Sequence, residues 1–172
     1  MGLKRIIEAI LFVSSKPVSL KTLSRKMGEF SEREIEDAVS ELIEEYKAYS
    51  RAIEIVQVAG GYQMRTKVEF KDWVKRFAKE KDVELTRPTL ETLAIVAYKQ
   101  PVTKREIDII RGVDSSRALK QLLDRKLIEI AGRNEDIGRP MVFKTTSKFL
   151  ETYGLSSIKD LPTLKEIEAL EK

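Results

Sequence analysis

Residues Arg87 to Thr146 read RPTLETLAIVAYKQPVTKREIDIIRGVDSSRALKQLLDRKLIEIAGRNEDIGRPMVFKTT. This run contains three consecutive helical patterns of apolar residues, followed by two β-prone runs that flank a polar turn with Gly138 and Pro140. Helix, helix, helix, strand, loop, strand is the element order of a winged helix, a helix-turn-helix core with an appended β-hairpin. The residues therefore predict a winged-helix domain here.

Start signals and apolar spacing define the three predicted helices. Thr103 and Glu106 have the spacing of a capping box at the start of the second helix, and Asp114 is predicted to cap the third. The apolar residues that mark the first helix are Leu90, Leu93, Ala94 and Ala97. The residues predicted to point inward from the second and third helices are Ile107, Ile110, Ala118, Leu119, Leu122 and Leu123.

The first half of the chain repeats this pattern. Lys16-Pro17-Val18-Ser19 aligns with Gln100-Pro101-Val102-Thr103 at an offset of 84 residues (100 minus 16), and Gly28 aligns with Gly112 at the same offset. Two β-prone runs joined through Gly60-Gly61 predict the corresponding hairpin. An internal repeat of this kind predicts two tandem winged-helix domains, a mainly α fold with small antiparallel β wings.

Composition shifts predict the boundaries of these domains. The charged run KEKDVE over 79–84 is the best candidate for a linker, and the segment after Pro162 is short, charged and weakly amphipathic. The predicted parts are an N-terminal winged helix over 1–80, a linker over 81–86, a C-terminal winged helix over 87–160 and a flexible tail over 161–172.

One predicted helix before the linker carries an aromatic stripe. Phe70, Trp73, Val74 and Phe77 lie on one of its faces. We expect this face to pack against its own domain, and a partner-binding stripe is the alternative.

Composition excludes several classes of function. The chain has no cysteine and no histidine, which removes thiol nucleophiles, zinc-thiolate sites, the Ser-His pairing and imidazole ligands. It also contains no Gly-rich phosphate-binding motif. We therefore expect no catalytic, cofactor or metal site. No apolar run reaches the roughly 18 residues that a membrane span needs, so we expect a cytoplasmic protein.

Winged helices commonly bind DNA through their third helices, and the charges of these helices indicate whether that is possible here. Residues 31–49 hold seven acidic and two basic residues, a net charge of −5 (2 minus 7), which phosphates repel. The third helix of the second domain includes Arg117 and Lys120, so a weak DNA contact stays open beside the simpler interpretation of a solvated helix face. A tandem winged-helix transcriptional regulator is the alternative function, and it predicts sequence-selective, salt-dependent binding.

Long motifs of the chain resemble one protein family. The runs TLETLAIVAYKQPVTKREIDIIRGVDSSRALKQLLDRKLIEIAGR and GRPMVFKTTSKFLETYGLSSIKDLP are similar to the segregation and condensation protein B (ScpB) family, and EAILFVSSKPVSLKTLS in the first half is also similar. The resemblance implies a non-enzymatic subunit of the SMC–kleisin complex that condenses and segregates chromosomes at the nucleoid. It further implies a homodimer, formed largely through the N-terminal domains, that binds the kleisin ScpA and through it SMC.

The family-like motifs suggest where these partners bind. In the second domain they cluster at positions that helical periodicity does not assign to the core, and local turn and packing roles are the open alternative. The predicted kleisin-binding residues are Tyr98, Arg111, Arg139 and Pro140. The predicted dimer residues, in the first helix and hairpin of the first domain, are Phe12, Ile55 and Tyr62.

Overall fold

The computed structural model describes residues 2–48, 50–77, 84–135, 138–163, 166, 167 and 169. The chain divides into two units, Met1–Asp82 and Val83–Lys172, and each is described by itself. Residues 81–83 of the predicted linker lie outside the described residues, as do 164, 165, 168 and 170–172 of the predicted tail.

In its described residues the first unit contains four α-helices and one hairpin. Its elements are α1 (Leu3–Val13), α2 (Leu20–Lys26), α3 (Glu32–Ala48), β1 (Ile53–Val58), β2 (Gly61–Thr66), a 3-10 turn (Val68–Phe70) and α4 (Lys71–Phe77). The Ser19 side chain accepts a hydrogen bond from the Thr22 amide and caps α2. Ser31 and Glu34 form the reciprocal bonds of a capping box at the start of α3.

The core of the first unit lies between α1, α2, α3 and the inner face of the hairpin. Its buried residues are Ile7, Leu11, Leu23, Met27, Ile35, Ala38, Val39, Leu42, Tyr46 and Ile55. Ala59 and Gly60 have positive φ and form the two-residue hairpin turn. Val18 lies in front of α2 and forms a β-bridge to Tyr62, which adds a third extended segment to the hairpin.

The second unit repeats this arrangement. Its elements are α5 (Arg87–Lys99), β3 (Val102–Thr103), α6 (Lys104–Arg111), α7 (Ser116–Asp124), β4 (Ile128–Arg133), β5 (Met141–Thr145), α8 (Ser147–Tyr153) and a 3-10 turn (Ile158–Asp160). The strands form one antiparallel sheet in the order β3-β5-β4. The predicted fold class is confirmed, since both units are mainly helical with a small antiparallel sheet.

Three details of the second unit differ from the sequence prediction. Ile110 is exposed, because the short helix α6 presents only the turn around Ile107 to the core. Leu90 is also exposed, because α5 buries the face that carries Thr89 and Thr92, whose hydroxyls donate to Gln121 Oε1 and the Pro88 carbonyl.

The third difference lies at the start of α7. The cap position is Ser115 rather than Asp114, and its side chain makes no capping bond. Asp114 instead accepts hydrogen bonds from the amide and hydroxyl of Ser116. Among the described residues, no helix is long and apolar enough to cross a bilayer.

Candidate functional site

An open groove of roughly 820 Å³ lies between α6, the turn that follows it and the wing of the second unit. We call it the wing groove. It is lined by Lys104, Arg105, Asp108, Ile109, Gly112, Val113, Asp114, Pro140, Met141 and Phe143. The Thr103–Glu106 capping box starts α6 beside the sheet, and Gly112 ends it in the left-handed conformation.

Most of the groove wall is apolar and faces solvent. The side chain of Ile109 is 70% exposed, and Val113 and Met141 are exposed as well. Apolar residues gathered in a concave surface mark a site for a protein segment or another apolar ligand. The sequence prediction missed these residues. A signal for them was present in the sequence: the eight-residue helix holds three isoleucines, Ile107, Ile109 and Ile110, and one buried helix face cannot accommodate all three.

The acidic residues of the groove are bound to Lys104. Its Nζ lies 2.6 Å from Asp108 Oδ2 and 2.6 Å from Asp114 Oδ1. These hydrogen bonds lower the pKa of both carboxyls and raise the pKa of Lys104. Arg105 has no ion pair among the described residues, so the groove offers an unpaired cation beside its apolar wall.

Of the four predicted kleisin-binding residues, one lines the wing groove and a second is its neighbour in sequence. Pro140 lines it, and Arg139 precedes Pro140 in the wing with an exposed side chain. Arg139 has a φ of +43°, and its carbonyl accepts a hydrogen bond from Arg133 Nη1 at 3.1 Å. The wing turn thus brings Pro140 opposite α6.

The other two predicted residues bind within the second unit itself. Tyr98 Oη donates a 2.7 Å hydrogen bond to the Pro162 carbonyl, which attaches the segment after the last 3-10 turn to α5. The Arg111 side chain is only 8% exposed. Its Nη1 donates to Ser115 Oγ, its Nη2 lies 3.9 Å from Glu91 Oε2, and its buried Nε has no hydrogen-bond partner.

The predicted dimer residues do not share one surface. Phe12 is exposed near the end of α1. Ile55 is 5% exposed and belongs to the core, because β1 turns this side chain toward the helices. Tyr62 is half-buried against the same core, and burial raises the pKa of its hydroxyl, with a smaller effect from the Glu36 charge. Of the three, Phe12 alone is exposed.

Three residues of the aromatic stripe, Trp73, Val74 and Phe77, are exposed, contrary to the sequence prediction, whereas Phe70 is half-buried in the 3-10 turn before α4. Every residue of α4 is exposed, with Trp73 at 63% and Phe77 at 86%. The Arg76 guanidinium lies 4.4 Å from the centre of the Trp73 ring. Helix α4 follows the 3-10 turn, and none of its apolar residues belongs to the core described for the first unit.

The charged side chains of the third helices, α3 and α7, lie at the surface of their units. On α3, the acidic side chains of Glu41 and Glu45 bind Lys4 of α1 at 3.0 and 2.5 Å, and the remaining acidic residues point outward. On α7, Arg117 and Lys120 are exposed and have no ion pair among the described residues.

Solved structures similar to this chain include two ScpB crystal structures. The crystal structure of ScpB from Mycobacterium tuberculosis has 33% sequence identity, covers 89% of this chain and 95% of that chain, and gives a TM-score of 0.41. The crystal structure of a dimer of the ScpB N-terminal domain complexed with ScpA peptide has 29% identity, covers 44% of this chain and 93% of that chain, and gives a TM-score of 0.40.

The sequence comparison extends over nearly the whole chain. A family model described as "Segregation and condensation complex subunit ScpB" matches residues 5–164. The segregation and condensation protein B of Syntrophotalea carbinolica is 44% identical over 170 residues, which are 99% of this chain and 86% of that protein. The resemblance found in the motifs is confirmed, and the chain belongs to the ScpB family of segregation and condensation complex subunits.

Proposed function

We propose that this chain is a non-enzymatic accessory subunit of the SMC–kleisin complex, and that it forms a homodimer and binds the kleisin ScpA. Family membership supports the role in chromosome condensation and segregation. The proposal extends to this chain the two partners of the crystallised ScpB N-terminal domain, a second copy and a ScpA peptide. It places the protein in the cytoplasm, at the nucleoid. In this proposal the first unit dimerises and takes part in ScpA binding, as the crystallised N-terminal domain does, and the second unit adds a ScpA contact of its own.

The observation that carries the ScpA proposal is the exposed apolar wall of the wing groove. Ile109, Val113 and Met141 lie in one concave surface, where a protein segment removes them from water. Arg105 and Arg139 add cations at or next to this surface. A ScpA segment with apolar anchors and flanking acidic residues has the matching chemistry.

Within this proposal the four predicted kleisin-binding residues have two kinds of role. Pro140, which lines the groove, and the exposed Arg139, which precedes it in the wing, contact ScpA directly. Arg111 and Tyr98 act as positioning residues, because their polar atoms bind Ser115 and Pro162 of the same unit. The acidic α3 supports a protein-binding role over a DNA-binding one, because its charge repels phosphates.

The test is the affinity of full-length ScpA for the full chain, measured by calorimetry. Ile109→Glu places a charge in the apolar wall and should weaken binding about tenfold or more, as expected for a central interface residue. Ile130→Glu is the matched control, because Ile130 is exposed on β4 and does not line the groove. Equal affinities of both variants for ScpA would contradict a site in the wing groove, and absence of ScpA binding by the unmodified chain would contradict the function.

A further inference from the structure

Helix α4 of the first unit has an apolar face that lies outside the described core of that unit. Trp73, Val74 and Phe77 are exposed, as is Val68 in the turn before the helix. Exposed aromatic and branched side chains on one helix face gain free energy when a partner removes them from water, and such surfaces mark interaction sites. The feature therefore indicates a surface that is covered in the working form of the protein.

A groove of the same unit offers the complementary surface. It has a volume of roughly 580 Å³ and lies between the start of α1 and α3. Half-buried Leu3 and Phe30 and buried Ala38 provide its apolar part. On the α3 side it is bordered by the carboxylates of Glu34, Asp37 and Glu41. We call it the α1–α3 groove.

The charges of the two surfaces are opposite. Helix α4 holds Lys71, Lys75 and Arg76 against Asp72, a net charge of +2 (3 minus 1). Neither lysine has an ion pair among the described residues. An exposed cationic helix with an aromatic face is thus available for an anionic partner.

The α1–α3 groove belongs to the most acidic element of the chain. Two basic residues also border the groove: Lys4, which Glu41 and Glu45 hold, and Arg5. Asp37 has no ion pair among the described residues and is therefore available to a cation from outside.

We propose that α4 of one copy docks in the α1–α3 groove of a second copy, and that the second copy returns the same contact. A two-fold axis makes such a contact occur twice, so each α4 covers its apolar face and each groove receives one cationic helix. The Trp73 ring is the apolar anchor, and Asp37 faces the cations of α4. This inference rests on the proposed homodimer and specifies the surfaces that form it.

The absence of cysteine makes a cross-linking test unambiguous. Two single-cysteine proteins, Val74→Cys on α4 and Arg5→Cys at the groove, are mixed and treated with a short bismaleimide. The inference expects a covalent species of twice the chain mass that contains one copy of each protein. Val74→Cys mixed with Lys21→Cys is the control, because Lys21 is exposed on α2 away from the groove. Equal cross-linking of both mixtures would overturn the inference.

A charge exchange tests the same contact without a cross-link. Lys75→Glu and Asp37→Lys should each raise the dimer dissociation constant several-fold, because each substitution affects both symmetric contacts. The double variant should recover part of the lost affinity. Trp73→Ala should raise it about thirtyfold or more, the cost of removing an aromatic anchor. Mass is read by light scattering across a dilution series, and circular dichroism checks the fold of each variant.

The outcomes separate this inference from the proposed function. A dimer that binds ScpA and is unaffected by all three substitutions would overturn the α4 contact and leave the function standing. A chain that stays monomeric and does not bind ScpA would overturn both. If Trp73→Ala weakened ScpA binding and left the dimer intact, α4 would be a kleisin surface, and the contact between copies would be wrong.

Discussion

Val18 and Tyr62 exchange two backbone hydrogen bonds of 2.9 Å, one in each direction. The pair joins the extended segment in front of α2 to β2, as Val102 pairs with Phe143 in the second unit. The two valines occupy equivalent places in the repeated Pro-Val-Ser/Thr motif. The repeat therefore extends from the sequence to strand pairing, and in both units it ties the second helix to the hairpin.

Gly61 makes this pairing possible. A Cβ at this position would lie 2.8 Å from the Val18 carbonyl carbon and 3.0 Å from the Ser19 amide nitrogen, both backbone atoms. Gly61→Ala should therefore lower the free energy of unfolding of the first unit by about 1–3 kcal/mol. Scanning calorimetry measures the loss. Gly28→Ala is the control, since no atom lies within 4 Å of its added Cβ, and an equal loss in both variants would contradict the close-contact explanation.

The Lys104 ion pairs predict how the second unit responds to pH. Hydrogen bonds from Lys104 lower the folded-state pKa of Asp108 and Asp114 below their ordinary value of 3.8, so their contribution is complete above that pH and is lost as pH falls through the folded pKa. The pKa of Lys104 is raised above its ordinary value of 10.5, so its contribution to stability is complete below about pH 10.5 and is lost as pH rises through the folded pKa.

Melting temperature measured from pH 2 to 6 tests the acid side of this prediction. Asp108→Asn should flatten the decline below pH 4, because the variant loses the depressed carboxyl. Asp124→Asn is the control, as Asp124 has no ion pair among the described residues. An Asp108→Asn profile parallel to that of the unmodified chain would contradict the ion-pair explanation.

Arg111 should act through packing rather than through its charge. Its Nε is buried without a hydrogen-bond partner, and Glu91 is half-exposed to water. Arg111→Met keeps the aliphatic part and should change the free energy of unfolding by less than about 1 kcal/mol, whereas Arg111→Ala should cost about 1–2 kcal/mol. Denaturation and ScpA titration are the measurements. A folded Arg111→Met protein with weakened ScpA binding would contradict the packing explanation and would show that the polar atoms of Arg111 support ScpA binding.

DNA binding should be weak and confined to the second unit. Arg117 and Lys120 provide two exposed cations on α7, so the logarithmic salt slope of any binding should be near −2, about 0.9 per phosphate. Arg117→Glu should remove most of this affinity, and Lys21→Glu on α2 should not. Fluorescence anisotropy with random and fixed DNA sequences is the measurement. Sequence-selective binding with a steep salt slope would favour the alternative transcriptional regulator.

Local signals predicted most of the fold because each acts over a few residues. The Thr103–Glu106 capping box starts α6, and Gly112 in the left-handed conformation ends it, both through bonds of neighbouring backbone groups. The same signals did not determine which helix face is buried. Ile110 and Leu90 match helical spacing and are exposed, while Thr89 and Thr92 are buried because hydroxyl hydrogen bonds satisfy them. Spacing shows that a helix is amphipathic, but it does not show what covers each face.

The sequence by itself determined the element order, the tandem repeat, the family and the acidic character of α3, because these depend on local patterns and on composition. Tertiary structure decided the candidate sites. It buried Ile55 and enclosed Arg111, and it brought Ile109 of α6 and Met141 of the wing to one groove across 32 residues of sequence (141 minus 109). It also left α4 uncovered. Which side chains remain exposed depends on contacts between elements that are distant in sequence, and these contacts form only when the whole unit packs.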